Sequence, residues 1–259
     1  MKTKRWLVCI YPILVAGLST VLMACGGGGG DTLEVVDTTA VAGYWYGTTN
    51  DTKYNITEDI LGVASTNGQM RLILDSGDCA GSQYNGTFSM NGNTGSGNLT
   101  GYAISGCMFA NGQPTTSGTF NFTISGDNLT GNYSTIGTSG MFTLTYFSFA
   151  EVPITISDLE GHWGYAITPG NYFKITVSSN GSFTATGYSG CDMSGQISII
   201  DPDWAITNIS VTATGCNESL LNGTYKGLGL LVFDPAGDLF YLMTSKSNLS
   251  YFDVVGRLP

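Results

Sequence analysis

The sequence predicts an all-β protein made of two tandem antiparallel meanders, and three observations carry that prediction. Charged residues make up only 11% of the 259, against about 25% in an ordinary globular domain. Ser, Thr, Asn and Gly supply the polarity instead, alongside 14 Tyr and 12 Phe, a mixture that suits short strands and tight turns better than helices. Apolar and polar residues also alternate: Phe120, Phe122 and Ile124 with Asn121, Thr123 and Ser125, and Ile209, Val211 and Ala213 with Ser210, Thr212 and Thr214. That period of two belongs to half-buried strands. Finally, one ordered set of features occurs twice. Gly43-Tyr44-Trp45, Cys79, Gly106-Cys107 and Gly118-Thr119-Phe120 are followed, in the same order, by Gly161-His162-Trp163, Cys191, Gly215-Cys216 and Gly223-Thr224-Tyr225, which reads as an internal duplication.

The duplication sets the boundaries: residues 41–150 form the first unit and 151–259 the second, with Glu151 to Glu160 as the joint. Asn67-Gly68, Gly126-Asp127 and Asn180-Gly181 fall between strand-like runs and suit hairpin turns, and Asp234-Pro235-Ala236-Gly237 has the residue order of a type I turn. Turn signals recur about every eight to twelve residues and no window holds an amphipathic helix, so each unit is expected to be a meander of about seven or eight strands. A meander of that length exposes its edges unless it closes. Small up-and-down β-barrels are therefore the expected form.

Ahead of the units lies a secretory-signal layout. Lys2, Lys4 and Arg5 precede an apolar run from Trp6 to Val21, and Ala24 sits just before Cys25. Residues 1–24 read as a cleaved signal peptide. The alternative, a membrane-spanning helix over Trp6 to Ala24, has nearly the roughly 20 residues required, but Pro12 and the glycines that follow Cys25 speak against it. Residues 25–40, opening with Gly26 to Gly30, read as a flexible tether.

Cys9 leaves with the signal, and Cys79, Cys107, Cys191 and Cys216 remain in an oxidising compartment where disulfides persist. Four cysteines allow three pairings. The near-equal separations, 28 and 25 residues, select Cys79 with Cys107 and Cys191 with Cys216, each closure contributing about 3.5 kcal/mol in the chain-entropy account. No C-x-x-C pair occurs and His162 is the one histidine, so no metal site is expected.

Two sets of residues carry resemblances. Leu22-Met23-Ala24-Cys25 resembles the lipobox of bacterial lipoproteins, which implies acylation of Cys25 and a membrane held through that lipid anchor, since several acyl chains anchor stably where one does not. By the same resemblance, Gly26 after the cysteine implies the outer membrane of a Gram-negative cell, with a periplasmic or surface-facing protein. The segment Gly190 to Gly195, with Gly215-Cys216 and Leu221 to Leu228, is similar to uncharacterised Gram-negative two-repeat lipoproteins, which implies location and architecture and no activity. The Gly-x-Trp openings resemble the first strand of lipocalin- and avidin-like barrels. That likeness implies that Trp45 and Trp163 plug a closed end and that Arg257 lies across Trp163, while Phe142 to Phe149 offers the first unit no such arginine.

Charge and chemistry narrow the function. Once the three basic residues of the leader are gone, six positive charges face nineteen negative ones, a formal charge of −13. No basic stripe exists to neutralise phosphates, which excludes nucleic acid as a partner. His162 lacks an evident serine or cysteine nucleophile and reads as structural. Asp75 with Asp78, Asp201 with Asp203, and Asp234 with Asp238 sit among turn residues, where Asp bonds its own backbone. The expectation is a non-enzymatic envelope lipoprotein, with no cofactor and no catalytic residue, that binds a small-molecule or protein ligand. The rivals are a structural or assembly-accessory lipoprotein and, behind it, a carboxylate-dependent hydrolase. An apolar cavity of several hundred Å³ would favour ligand binding over structure.

Overall fold

The computed structural model describes residues 38–258 other than 169, 170 and 188. Residues 1–24, expected to be a signal peptide, Cys25 and the pentaglycine lie outside the described residues. Two closed eight-stranded barrels follow one another along the chain. The first consists of β1 (Gly43–Asp51), β2 (Ile56–Ala64), β3 (Gln69–Leu74), β4 (Gln83–Asn91), β5 (Thr94–Tyr102), β6 (Thr115–Ser125), β7 (Asn128–Thr135) and β8 (Thr138–Phe147). The second consists of β9 (Gly161–Thr168), β10 (Asn171–Val177), β11 (Ser182–Thr186), β12 (Asp192–Ile199), β13 (Ile206–Thr214), β14 (Gly223–Val232), β15 (Leu239–Lys246) and β16 (Leu249–Arg257). Every pairing is between sequence neighbours, apart from the closures. β1 closes on β8 from Tyr44↔Phe147 to Asp51↔Gly140, whereas β9 meets β16 only at Gly164↔Gly256 and Trp163↔Arg257.

The duplicated residues occupy equivalent places. Asn67-Gly68 and Asn180-Gly181 turn β2 into β3 and β10 into β11, both glycines with φ at +78°, a backbone conformation that side-chain-bearing residues rarely adopt. In each turn the asparagine oxygen accepts the amide two residues on, from Gln69 or Ser182, which fixes the register of the hairpin. A short helical turn stands before each barrel, Thr39–Val41 and the single-turn α1 (Ile156–Leu159). From them the carbonyls of Val41 and Leu159 accept the indole N–H of Trp45 and Trp163, both at 2.8 Å. Both tryptophans are buried, and satisfying the indole N–H is what makes so large a polar-tipped ring cheap to bury.

Since β1 and β9 start at the tryptophans, the connections that follow odd-numbered strands lie at the opposite end of each barrel. Both disulfides are there. Cys79–Cys107 joins the β3–β4 and β5–β6 connections, and Cys191–Cys216 joins the β11–β12 and β13–β14 connections.

Half-buried strands were expected throughout, and β14 departs from that. Tyr225 faces the interior of its barrel, so Leu228 and Leu230 point outward, yet both are fully buried. They belong to one apolar cluster with Tyr44, Leu61, Val63 and Ile73 from the outer faces of β1 to β3. The two barrels therefore share a core. Polar groups finish this junction: Arg71 donates to Asn85 Oδ1, to Ser245 Oγ at 3.1 Å and to the Lys226 carbonyl at 3.0 Å. Burial pulls the Arg71 guanidinium down to about 10, which leaves it charged at neutral pH and dependent on these neutral acceptors.

Candidate ligand-binding site

The interiors of the two barrels differ. Inward positions of the first carry Phe88, Phe120, Phe122 and Phe142, with Tyr84 and Tyr133 beside them. They fit because glycines stand opposite. A Cβ on Gly95 would sit 2.1 Å from the Phe122 ring, and one on Gly131 2.4 Å from the Phe142 ring. Between these rings remains a void of about 20 Å³, too little for more than a single water; a more open, partly polar depression of about 430 Å³, lined by Asp51, Glu58 and Asp78, lies at the disulfide end.

The second barrel holds a partly open cavity of about 300 Å³. Its wall is built by alternation along the strands: Phe173 and Ile175 from β10, Ala185 from β11, and Ile209, Val211 and Ala213 from β13. Toward the disulfide end the lining continues through Cys191, Leu221, Leu249 and Tyr251. Ile104 and Ser105, from the β5–β6 connection of the first barrel, complete it there. That connection is pinned within its own barrel by Cys107 and across the junction by the Ser250 amide, which donates to the Ala103 carbonyl at 3.1 Å. Ser250 Oγ and Gln83 Nε2 add bonds to the Gly81 and Tyr251 carbonyls, at 2.8 and 2.7 Å. One barrel thus supplies part of the rim of the other.

No charged side chain lines the cavity. Among its polar groups, the Tyr225 hydroxyl donates to the Leu221 carbonyl and the Tyr251 hydroxyl to Asp253. Thr244 is different. Its Oγ1 is buried and has no hydrogen-bond partner among the described residues, an arrangement that costs about 1–3 kcal/mol.

The residues singled out from sequence fall elsewhere. Arg257 lies over the Trp163 ring at 4.3 Å, held by Asp238 Oδ2 at 3.0 Å and by the Glu160 and Asp158 carbonyls. At the same register position of the first barrel, opposite Trp45, stands Tyr146, its ring 5.1 Å from the indole and its hydroxyl donating to Glu151 at 2.6 Å. Sequence reasoning looked there for an arginine and missed the tyrosine. His162 is exposed, with Nδ1 3.2 Å from Thr176 Oγ1. Asp201 and Asp234 spend a carboxylate oxygen on the Asp203 and Ala236 amides of their own turns, and Asp238 holds Arg257. Asp75 accepts the Tyr46 hydroxyl, and Asp78 lines a separate depression on the first barrel with Asp51 and Glu58, so none of the paired aspartates lines the cavity. Among the described residues no cluster of three or more metal-ligating side chains occurs, and no helix is long and apolar enough to cross a membrane.

No family model matches the chain, and no curated protein does. Among solved structures, the chain is similar to immune modulator A of Aeromonas veronii, at 10% identity over 84% of this chain and 94% of that one, with a TM-score of 0.38. A likeness at that level bears on no function.

Proposed function

We propose that the protein is a lipid-anchored envelope protein whose second barrel binds one small apolar molecule without transforming it. The single observation behind this reading is the cavity of about 300 Å³, at the lower end of the size range of small-molecule sites and lined, as they are, by apolar side chains around few polar ones. Apolar space inside a protein forfeits dispersion contacts that a filled core would make, and the first barrel shows that this same strand plan can be filled. Anchorage rests on Leu22 to Cys25, and placement in the outer membrane on the resemblance carried by Gly26. The filled first barrel favours a structural role for that half, as rim and support.

The test is binding of 1-aminonaphthalene, a neutral two-ring fluorophore whose emission shifts to the blue in apolar surroundings and whose size suits the cavity. The purified chain should bind one equivalent. Ala213→Phe, which places a ring in the cavity, should abolish binding while leaving the far-ultraviolet circular dichroism of the barrels unchanged. Binding that survives Ala213→Phe would remove the cavity from the proposal. For the anchor, Cys25→Ser should abolish acylation and leave the protein released or unprocessed; a processed variant still bound to membranes would defeat that half.

A further inference from the structure

We infer that the ligand enters and leaves the second barrel sideways, through a split between β9 and β16 that a hydrogen bond from Tyr165 to Asp253 holds together. The inference rests on the reading of that barrel as a binding site and adds how the site is reached. β9 and β16 pair at Trp163↔Arg257 and Gly164↔Gly256 and then part, whereas β1 stays paired with β8 from Tyr44 to Asp51. Beyond Gly164, β9 is paired with β10 alone. Among the described residues, β10 to β16 all contribute to the cavity wall and β9 contributes none. The positions that would close the gap are exposed. Tyr165 and Ile167 share the inward parity of Trp163, yet they are 36% and 45% exposed, while Thr49, the counterpart of Ile167 on β1, is 8% exposed.

The cavity reaches this split. Neighbours along a strand point to opposite faces, but Tyr251 and Phe252 both line the cavity, so the space continues past the edge of β16. Nearer the disulfide end that edge is covered: the Ser250 amide donates to the Ala103 carbonyl, and Ile104 and Ser105 join the lining. Phe252 to Val255, which a continued register would pair with Tyr165 to Thr168, form a stretch about 13 Å long at about 3.3 Å per residue. Two glycines, the residues with the widest backbone freedom, face each other where the strands part, and a bulge between Asn171 and Tyr172 bends the β9–β10 hairpin. Across the split the Tyr165 hydroxyl donates to Asp253 Oδ2 at 3.1 Å. Asp253 is fixed on its own strand by the Tyr251 hydroxyl and the Val254 amide, both at 2.8 Å. The Val254 amide shares the direction of the Leu258 amide, which donates to His162 of β9. The carboxylate thus stands in for a carbonyl that a fully paired β9 would supply.

Stopped-flow binding of 1-aminonaphthalene to the full chain at pH 7 separates rate from affinity. Tyr165→Phe removes the bond across the split and keeps the ring, and should raise the association and dissociation rates about fivefold each. Ile167→Trp fills the split with a larger side chain and should lower both rates about tenfold. Neither residue lines the cavity, so the ratio of the two rates should stay within about threefold of that of the unsubstituted chain. Rates that Tyr165→Phe leaves unchanged would overturn the latch, and rates that Ile167→Trp leaves unchanged would overturn the split as the route. Association slowed by Leu221→Trp, in the lining at the disulfide end, and untouched by Ile167→Trp would place the entrance there instead. If Ile167→Trp does not fold, Tyr165→Phe, a loss of one hydroxyl, still decides. No binding of the probe by the unsubstituted chain would instead refute the binding reading on which the inference stands.

Discussion

The two barrels share a strand plan, a tryptophan plug and a disulfide position, yet one is packed solid and the other is hollow. Alignment of the repeated Gly-Thr-aromatic motif shows one place where they part. Gly118-Thr119-Phe120 corresponds to Gly223-Thr224-Tyr225, so Phe122 of β6 has Gly227 as its counterpart on β14, and Ile124 has Gly229. Gly227 cannot be refilled by a side chain where it stands, because a Cβ there would lie 1.8 Å from the Met243 carbonyl oxygen. Ala185, Ala213 and Val211 line the same space with little volume. A duplicated barrel thus keeps its closure and changes its interior by shortening a few inward residues. Packing density, more than topology, separates the filled barrel from the one that keeps space inside.

The largest effect expected from this comparison belongs to Phe122. Its ring lies 5.9 Å from Phe120 and 5.6 Å, edge to face, from Phe88, and it is 2% exposed. Phe122→Ala should cost about 3–5 kcal/mol, from lost burial and from the cavity left behind. Since the barrels share the Leu228, Leu230, Leu61 and Ile73 cluster, the loss should appear in one cooperative transition by calorimetry. A first transition that moves while a second stays fixed would show that the junction does not couple them.

The closed ends give a second comparison, with Arg257 on Trp163 set against Tyr146 on Trp45. The arginine contact is a cation–π pair worth up to about 2 kcal/mol when desolvated, and its stem adds packing. Arg257 is partly exposed and carries an ion pair to Asp238, so Arg257→Ala should cost about 1–2 kcal/mol. Tyr146→Phe removes only the bond to Glu151 and should cost about 1 kcal/mol or less. A double-mutant cycle on Trp163 and Arg257 decides whether the contact carries energy; strict additivity would reduce it to proximity.

Much of this fold was legible because its signals are local. Alternation, Asn-Gly turns and the repeated cysteine order lead to two disulfide-stapled meanders, and Arg257 over Trp163 follows from the Gly-x-Trp resemblance. What was not legible depends on contacts between distant segments. Leu228 and Leu230 give no sign in sequence that the first barrel covers them. Tyr146 is not legible as the counterpart of Arg257 because it carries no charge, yet an aromatic lid with a hydrogen-bonded hydroxyl fills the same register position. The cavity left one trace, the Gly227 and Ala213 positions, but small residues at inward positions mean a void only when their neighbours fail to reach across, as the phenylalanines do over Gly95 and Gly131.

The smallest expected effect concerns acid. Each barrel has one carboxyl group pushed above its usual range, chiefly by burial: Glu58 in the first, with Asp51 and Asp78 adding repulsion, and Asp253 in the second. Asp253 is raised even though the Tyr251 hydroxyl, the Val254 amide and the Tyr165 hydroxyl all donate to it, at 2.8, 2.8 and 3.1 Å. An acid whose folded-state pKa is raised binds its proton more tightly in the folded chain. Its contribution therefore favours folding fully below the ordinary value, and is lost as pH rises through the raised one. Stability against urea should accordingly climb as pH falls from 7 toward about 4. Asp253→Asn should flatten part of that climb, and Glu58→Gln another part. The two parts should add, since the groups sit on different barrels and share no hydrogen-bond partner. A pH profile that Asp253→Asn leaves unchanged would mean that Asp253 titrates alike in both states and that its three donors fully offset its burial.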